Sequence, residues 1–202
     1  EVGVDTESYA TALKNSLRQR PDVILVGEVR DREVMEQTMM AAETGHLCLA
    51  TIHATNTYQT IERIINFFPE DMHDQIRLSL SMNLKAILSQ RLLPCLQGGM
   101  TVALELMLNQ GFIKELIYEG KIGKIRDVIQ QNTSSGMQTF DQALLKLYVD
   151  GKISEDVAIS QADIPADLQM KIKKVKIGQT EDEFEVEPGL SSLDTSLLSI
   201  SD

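Results

Sequence analysis

The sequence predicts an α/β domain that runs into an all-helical segment and then a polar tail. Three observations predict it. Two short apolar runs, 22–27 and 47–52, flank a segment of helical period, which is the pattern of a βαβ unit. From about residue 109 the apolar spacing is helical only. Residues 178–202 hold acids and serines and few aromatics, a composition expected to stay disordered.

Asp5 or Thr6 is expected to cap a first helix to about Arg18, with Tyr9, Leu13 and Leu17 on one face. Val23, Ile24, Leu25 and Val26 follow as a strand of the kind that is covered on both faces. Asp31 starts a second helix to about Glu43, burying Val34, Met35, Thr38, Met39 and Ala42. Gly45 ends it, and the strand 47–52 completes a crossover whose expected hand is right. Tyr58, Ile61, Ile64, Ile65 and Phe68 mark a third helix stopped by Pro69. Ile76, Leu80, Leu84, Ile87 and Leu88 predict a longer fourth one. Residues 92–95 and 101–108 read as strands of a hairpin around Gly98-Gly99.

Beyond it, Ile113, Leu116 and Ile117 predict one short helix, and Ile122, Ile125, Val128 and Ile129 another. Thr139-Phe140-Asp141-Gln142 has the spacing of a capping box, followed by inward Ala143, Leu144, Leu147 and Tyr148 and a closing Gly151. Ser154-Glu155-Asp156 opens the next helix. Lys171, Lys173, Lys174 and Lys176 read as a solvated helix face that can pair with the acidic tail; a membrane surface is the other partner such a run attracts.

At 202 residues and 43% hydrophobic, the chain is long enough for a real core with an appendage. Seven acids and no Lys or Arg follow Lys176, so most of the net charge of −11 belongs to the tail. No basic patch favours nucleic acid. Cys48 and Cys95 lie far apart in apolar surroundings and read as buried free thiols of a reducing compartment. No segment has the length of a membrane-spanning helix, and the N-terminus lacks the basic start and apolar middle of a signal peptide. Without an initiator Met, the chain is expected to begin partway through a longer protein.

The chemistry is expected at the strand ends. In open α/β sheets ligands sit outside the carboxyl ends of the strands. The first run ends in Gly27 and Glu28, where a water-orienting or metal-assisting acid belongs; the ordinary alternative for Glu28 is a cap or an ion pair. Arg30 and Asp31 add little, since an acid at a helix start is routine. The second run leads to His53, which gains weight from that position. His46 and His53 are seven residues apart, so on a regular strand they face opposite ways, which argues against shared metal chelation. Thr51 and Thr55 beside His53 suit phosphate binding but are also good strand and turn residues. His73, among Glu70, Asp71 and Asp74, reads as a solvated helix residue.

Taken together and in order, residues 17–31 (Leu17 to Asp31), 41–46 (Ala-Ala-Glu-Thr-Gly-His), 51–54 (Thr-Ile-His-Ala) and 63–69 (Arg-Ile-Ile-Asn-Phe-Phe-Pro) resemble the secretion ATPases of type IV pili. The first block resembles their atypical Walker B segment, the second and third their His box. Residues 89–92 and 136–144 extend the match, which covers roughly 1–165 and is nearest to the PilU branch of the PilT/PilU retraction family. The resemblance implies the C-terminal part of a RecA-like P-loop core over 1–108, a helical C-terminal subdomain over 109–177 and an acidic tail over 178–202. It implies hydrolysis of ATP with Mg²⁺ in a homo-hexameric ring at the cytoplasmic face of the bacterial inner membrane. A paralogous retraction ATPase and the inner-membrane pilus platform protein are the implied partners, with no nucleic acid. Glu28 would orient or deprotonate the attacking water, His53 would approach the γ-phosphate and His46 would support its strand. Gly27, Arg30 and Thr51 would support the nucleotide site, and Mg²⁺ would meet Glu28 at most through water.

Three departures qualify this. The chain holds no Gly-x-x-x-x-Gly-Lys-Ser/Thr, so the phosphate cradle is expected upstream and this chain alone is expected to be inactive. The retraction family's Ala-Ile-Arg motif is matched by Phe112-Ile113-Lys114, and Lys does not reproduce a bidentate guanidinium contact. The third is the lysine run and acidic tail, which extend past the match. The extension and type II secretion relatives carry a four-cysteine zinc site in this region; here Cys95 stands without a neighbouring cysteine. The rivals are a non-catalytic ring subunit that docks on the active motor and a generic helical regulatory domain. The latter leaves the motif order over 17–69 unexplained.

Overall fold

The structure, a computed structural model, describes residues 3–178. The expected disordered tail therefore lies outside the described residues, Gly178 apart. Packing separates a first unit, residues up to 90 with 105–128, from a second, residues 91–104 and those from 129 onward.

In the first unit, α1 (Tyr9–Ser16) begins two or three residues later than expected. Its cap is Ser8, whose hydroxyl accepts from the Thr11 N–H, while Thr6 spends its hydroxyl on the Ser8 carbonyl. Moving the start turns Tyr9 outward and leaves Ala10 and Leu13 as the buried pair. β1 (Val23–Val26) and β2 (Leu47–Ala50) run parallel with Ile24 opposite Cys48, and α2 (Arg32–Glu43) connects them. Asp31 caps α2 as expected, accepting from the Val34 N–H at 2.9 Å. The fully buried position on α2 is Ala41, while Met39 and Ala42 lie at the edge of the buried face.

The expectation that β1 is covered on both faces is corrected. Ile24 joins Leu13 and Ala41 in a small core, with Val26 and Cys48 against it. On the other face Val23, Leu47 and Leu49 are about half exposed and Leu25 is 74% exposed. The cause is the period of two: α1 and α2 reach one side of the pair, and every second residue points away from it. Both cysteines are free and half-buried rather than fully buried, and burial pushes the Cys48 thiol up from its ordinary value.

α3 (Thr57–Asn66) and α4 (His73–Asn83) follow, with Ile61, Ile64, Ile65, Ile76 and Leu80 buried. The predicted longer fourth helix is corrected too. It stops at Asn83, and Ile87 and Leu88 belong to β3 (Ala86–Pro94). Asn109 ends the helix by donating its side-chain N–H groups to the carbonyls of Leu80, Ser81 and Leu84, at 3.2, 3.1 and 2.8 Å. The Leu80 carbonyl also accepts from the Leu84 N–H at 3.0 Å, so Asn109 adds to the closing of the helix C-terminus, where carbonyls run out of helical partners. Burial along β3 then alternates, with Ile87, Ser89 and Leu93 inward. β3 pairs with β4 (Met100–Leu108) as the expected hairpin, its first strand beginning earlier than predicted. α5 (Phe112–Tyr118) buries Ile113, Leu116 and Ile117 and packs on α4. A 3₁₀ turn over 122–124 leads into α6 (Ile125–Gln131).

The second unit is helical around the hairpin tip. α7 (Phe140–Val149) carries the predicted capping box, with Thr139 and Gln142 each accepting from the other's backbone N–H. α8 (Glu155–Ser160) is capped by Ser154 as expected, and α9 (Pro165–Lys176) opens on proline. Leu93, Phe140, Leu144, Leu145, Ile153, Ala158, Leu168 and Ile172 form one closed core. Leu147 and Tyr148, expected inside, lie at its rim; Phe140, Leu144 and Leu145 are the fully buried residues of α7. Asp141 accepts from the backbone N–H of Asp163 and Ile164 and so fixes the approach to α9. Arg91 pairs with Asp163 at 2.6 Å and lies over the Phe140 ring at 3.8 Å. Lys173, Lys174 and Lys176 are exposed, and Lys176 pairs with Glu155 at 2.5 Å. No helix among the described residues is long and apolar enough to cross a membrane.

Candidate functional site

The site grows from the ends of β1 and β2. Hydrogen bonding continues past the strand ends: the Thr51 N–H donates to the Val26 carbonyl at 3.4 Å, and the Val29 N–H, three residues beyond β1, donates to the Thr51 carbonyl at 2.9 Å. The Thr51 hydroxyl donates to the Gly27 carbonyl. Val29 is buried, so it anchors this short segment and leaves Glu28 beside it partly in solvent. Alternation does the rest, because two neighbours on an extended chain point opposite ways.

Glu28 and His53 are brought together. His53 Nε2 donates to Glu28 Oε1 at 2.9 Å, and Arg30 meets Glu28 Oε2 at 2.5 Å. The side chain of Glu28 is 25% exposed, against 82% for His53 and 78% for Arg30, so the carboxylate is the fixed member of the trio. The hydrogen bond from Arg30 is the main reason that the Glu28 carboxyl is held below its ordinary value; partial burial works against it, and the nearby charges of Arg30 and His53 reinforce it. Glu28 is therefore an ionised acceptor at neutral pH. A carboxylate so stabilised orients a water molecule better than it removes a proton, because a general base works best with a pKa near the working pH.

His46 is not part of this trio. Its Nδ1 lies 3.1 Å from the Ala41 carbonyl and 3.2 Å from the Thr44 hydroxyl, closing the C-terminal end of α2. Neither His46 nor His53 lies in β2, which is only four residues long. Thr55 turns to Gln59 in the first turn of α3. His73 departs from expectation: it is half-buried, and its Nε2 donates to the Phe68 carbonyl at 2.9 Å. The reason is that Pro69 stops α3 and leaves that carbonyl in need of a donor.

One buried acid escaped the sequence reasoning. Glu105 on β4 is 1% exposed, and its Oε1 accepts from the Thr57 N–H at 2.8 Å and the Thr57 hydroxyl at 2.7 Å. The signal was the period of two, which puts Glu105 on the inward face between Ala103 and Met107. A groove of about 270 Å³ lies elsewhere in the first unit, lined by Glu62, Asn66, Arg77 and Gly120, and includes neither Glu28 nor His53. Gly120 is required there: its φ is +72°, and a Cβ would come within 3.3 Å of Arg77.

Among the described residues no three His, Cys, Asp or Glu side chains converge to hold a metal. Both oxygens of Glu28 already have partners. The residues present thus fit a Mg²⁺ ion only at one remove, through water on Glu28.

Comparison with known proteins gives the family and the fold. The chain is 50% identical over 86% of its length to the type IV pilus ATPase PilU of Pseudomonas aeruginosa, of which it covers 46%. It is 41% identical over 82% of its length to the type IV pilus retraction ATPase PilT of the same organism, covering 48%. The crystal structure of the pilus retraction motor PilT with bound ADP superposes with a TM-score of 0.77 at 42% identity, over 84% of this chain and 48% of that one. The α/β fold expected from the sequence is the fold shared with that motor, and the sequence is nearer to PilU than to PilT. The chain spans about half the length of these relatives. Residues 4–133 match the type II/IV secretion system protein family, and the chain belongs to that family.

Proposed function

We propose that this chain is the part of an ATP-hydrolysing motor subunit for type IV pilus retraction and twitching motility that carries the water-orienting carboxylate. The observation that carries the reading is the 2.9 Å contact between Glu28 and His53 at the ends of adjacent parallel strands. In phosphoryl transfer the protein's work is positioning and charge stabilisation. The water oxygen bonds to the γ-phosphorus, the bond from that phosphorus to the β–γ bridging oxygen breaks, the water's proton passes to a phosphate oxygen or to solvent, and ADP and phosphate leave. Glu28 accepts a hydrogen bond from that water and sets its line of attack. His53, held by Glu28 at one ring nitrogen, offers the edge of a well-placed imidazole to the phosphate. Arg30 keeps Glu28 ionised, Gly27 and Thr51 fix the segment's path, and His46 acts only through the end of α2. Mg²⁺ bound with the nucleotide would neutralise phosphate charge.

On this reading residues 1–108 belong to the ATPase core and 109–177 to a helical subdomain. The phosphate cradle lies outside this chain, which by itself does not turn over ATP. The full-length subunit works in a hexameric ring with a paralogous retraction ATPase at the cytoplasmic face of the inner membrane, against the pilus platform protein. The alternative, an accessory ring subunit that docks on the active motor, is favoured by exposed Lys114 where the retraction family has Arg.

Magnesium-dependent ATP hydrolysis by the full-length gene product tests the reading. Glu28→Ala is expected to lower kcat by about a hundredfold or more while nucleotide binding persists. Turnover unchanged in that variant removes Glu28 from the mechanism. A full-length wild type with no turnover until its paralog is added selects the accessory role.

A further inference from the structure

We infer that Glu105 is a positioning residue for the Glu28–His53 pair, and this rests on reading that pair as the functional site. The segment carrying His53 hangs between two anchors. At one end the Thr51 hydroxyl and carbonyl are tied to Gly27 and Val29. At the other end the chain enters α3 through Asn56 and Thr57, which are 2% and 0% exposed. Between the anchors lie residues 52–55, and His53 is almost wholly in solvent apart from its contact with Glu28.

Glu105 makes the second anchor. Both its contacts with Thr57 use the N-terminal end of α3, where N–H groups lack helical partners and a carboxylate is favoured. The helix already has its side-chain cap, since Asn56 accepts from the Gln59 N–H at 3.0 Å. Glu105 is therefore not needed as the helix cap. It joins the start of α3 to a strand 48 residues away, and sets where the His53 segment must end. A segment of four residues has little slack, so a shift of its far end by an ångström carries His53 off Glu28.

The test uses the full-length gene product with ¹⁵N-labelled histidine. In the parent, Glu28→Gln changes the His53 ring-nitrogen signals. Glu105→Ala is expected to abolish that response while the His46 and His73 signals stay in place. Glu105→Gln, which keeps an oxygen facing Thr57, is expected to restore it. If Glu105→Ala does not fold, Thr57→Val removes the hydroxyl contact alone and is expected to weaken the response. In hydrolysis, Glu105→Ala is expected to cost about tenfold in kcat with little change in KM. The same substitution is expected to cost nothing further in a His53→Ala background. A folded Glu105→Ala variant, or Thr57→Val in its place, with the His53 response intact overturns the proposal. Loss of the response in a protein whose parent never hydrolyses ATP supports the positioning role and overturns the ATPase reading alone.

Discussion

The two units bury their apolar residues in different ways. The second closes on itself: Phe140, Leu144, Ala158, Leu168 and Ile172 are all fully buried, drawn from three helices around the hairpin. The β1–β2 pair of the first buries Ile24 and leaves Leu25, its neighbour, 74% exposed. The amino acids are of the same kind; the period differs. A helix gathers its apolar residues onto one stripe, so three short helices can face one another and finish a core. A strand divides its apolar residues between two faces, and the elements packed here reach only one. Parallel strands are usually covered on both sides, and here one face of the pair is open.

The comparison can be broken by substitutions of matched chemistry, measured by chemical denaturation of the 202-residue chain. Leu144→Ala is expected to cost about 3 kcal/mol, because it opens a cavity in a closed core. Thr139→Ala, which removes the cap of the same helix, is expected to cost about 1 kcal/mol. Leu25→Ala is expected to stay within about 0.5 kcal/mol, as a change at an exposed site does. A Leu25 cost near that of Leu144 would mean that the open face is covered in solution.

The smallest effect on stability sharpens the picture of the site. Glu28 has its carboxyl held below the ordinary value of 4.5, chiefly by Arg30. A group whose folded pKa is depressed contributes stability above its ordinary range and loses it as pH falls through the lowered value. Arg30→Gln therefore raises the Glu28 carboxyl toward its ordinary value and removes that contribution at neutral pH, a small loss because the pair is screened by solvent. A carboxyl-carbon NMR titration of Glu28 reads this directly, and a titration that does not move in the variant excludes Arg30 as the cause.

Much of the fold was legible because it is locally encoded. Asp31, Ser154 and the Thr139–Gln142 box cap helices within three or four residues of themselves, so the sequence neighbourhood is the whole cause. The larger error falls where a distant partner decides, the smaller where two local hydroxyls compete. Asn109 ends α4 from 25 or more residues away and turns a run of helical period into a strand. Ser8 outcompetes Thr6 as a cap because Thr6 is spent on a turn.

The site divides in the same manner. Strand ends and a Gly-Glu step were enough to expect Glu28 and His53 at one crevice, since parallel pairing brings neighbouring carboxyl ends together. That Arg30 takes the second oxygen of Glu28 and that His46 turns to the end of α2 are local contacts that period and capping do not rank; that Glu105 holds Thr57 was decided only by tertiary structure. Period and capping are written in the identities of adjacent residues. A hydrogen bond between residues 48 apart depends on where the strand and the helix pack, and a linear pattern does not carry that information.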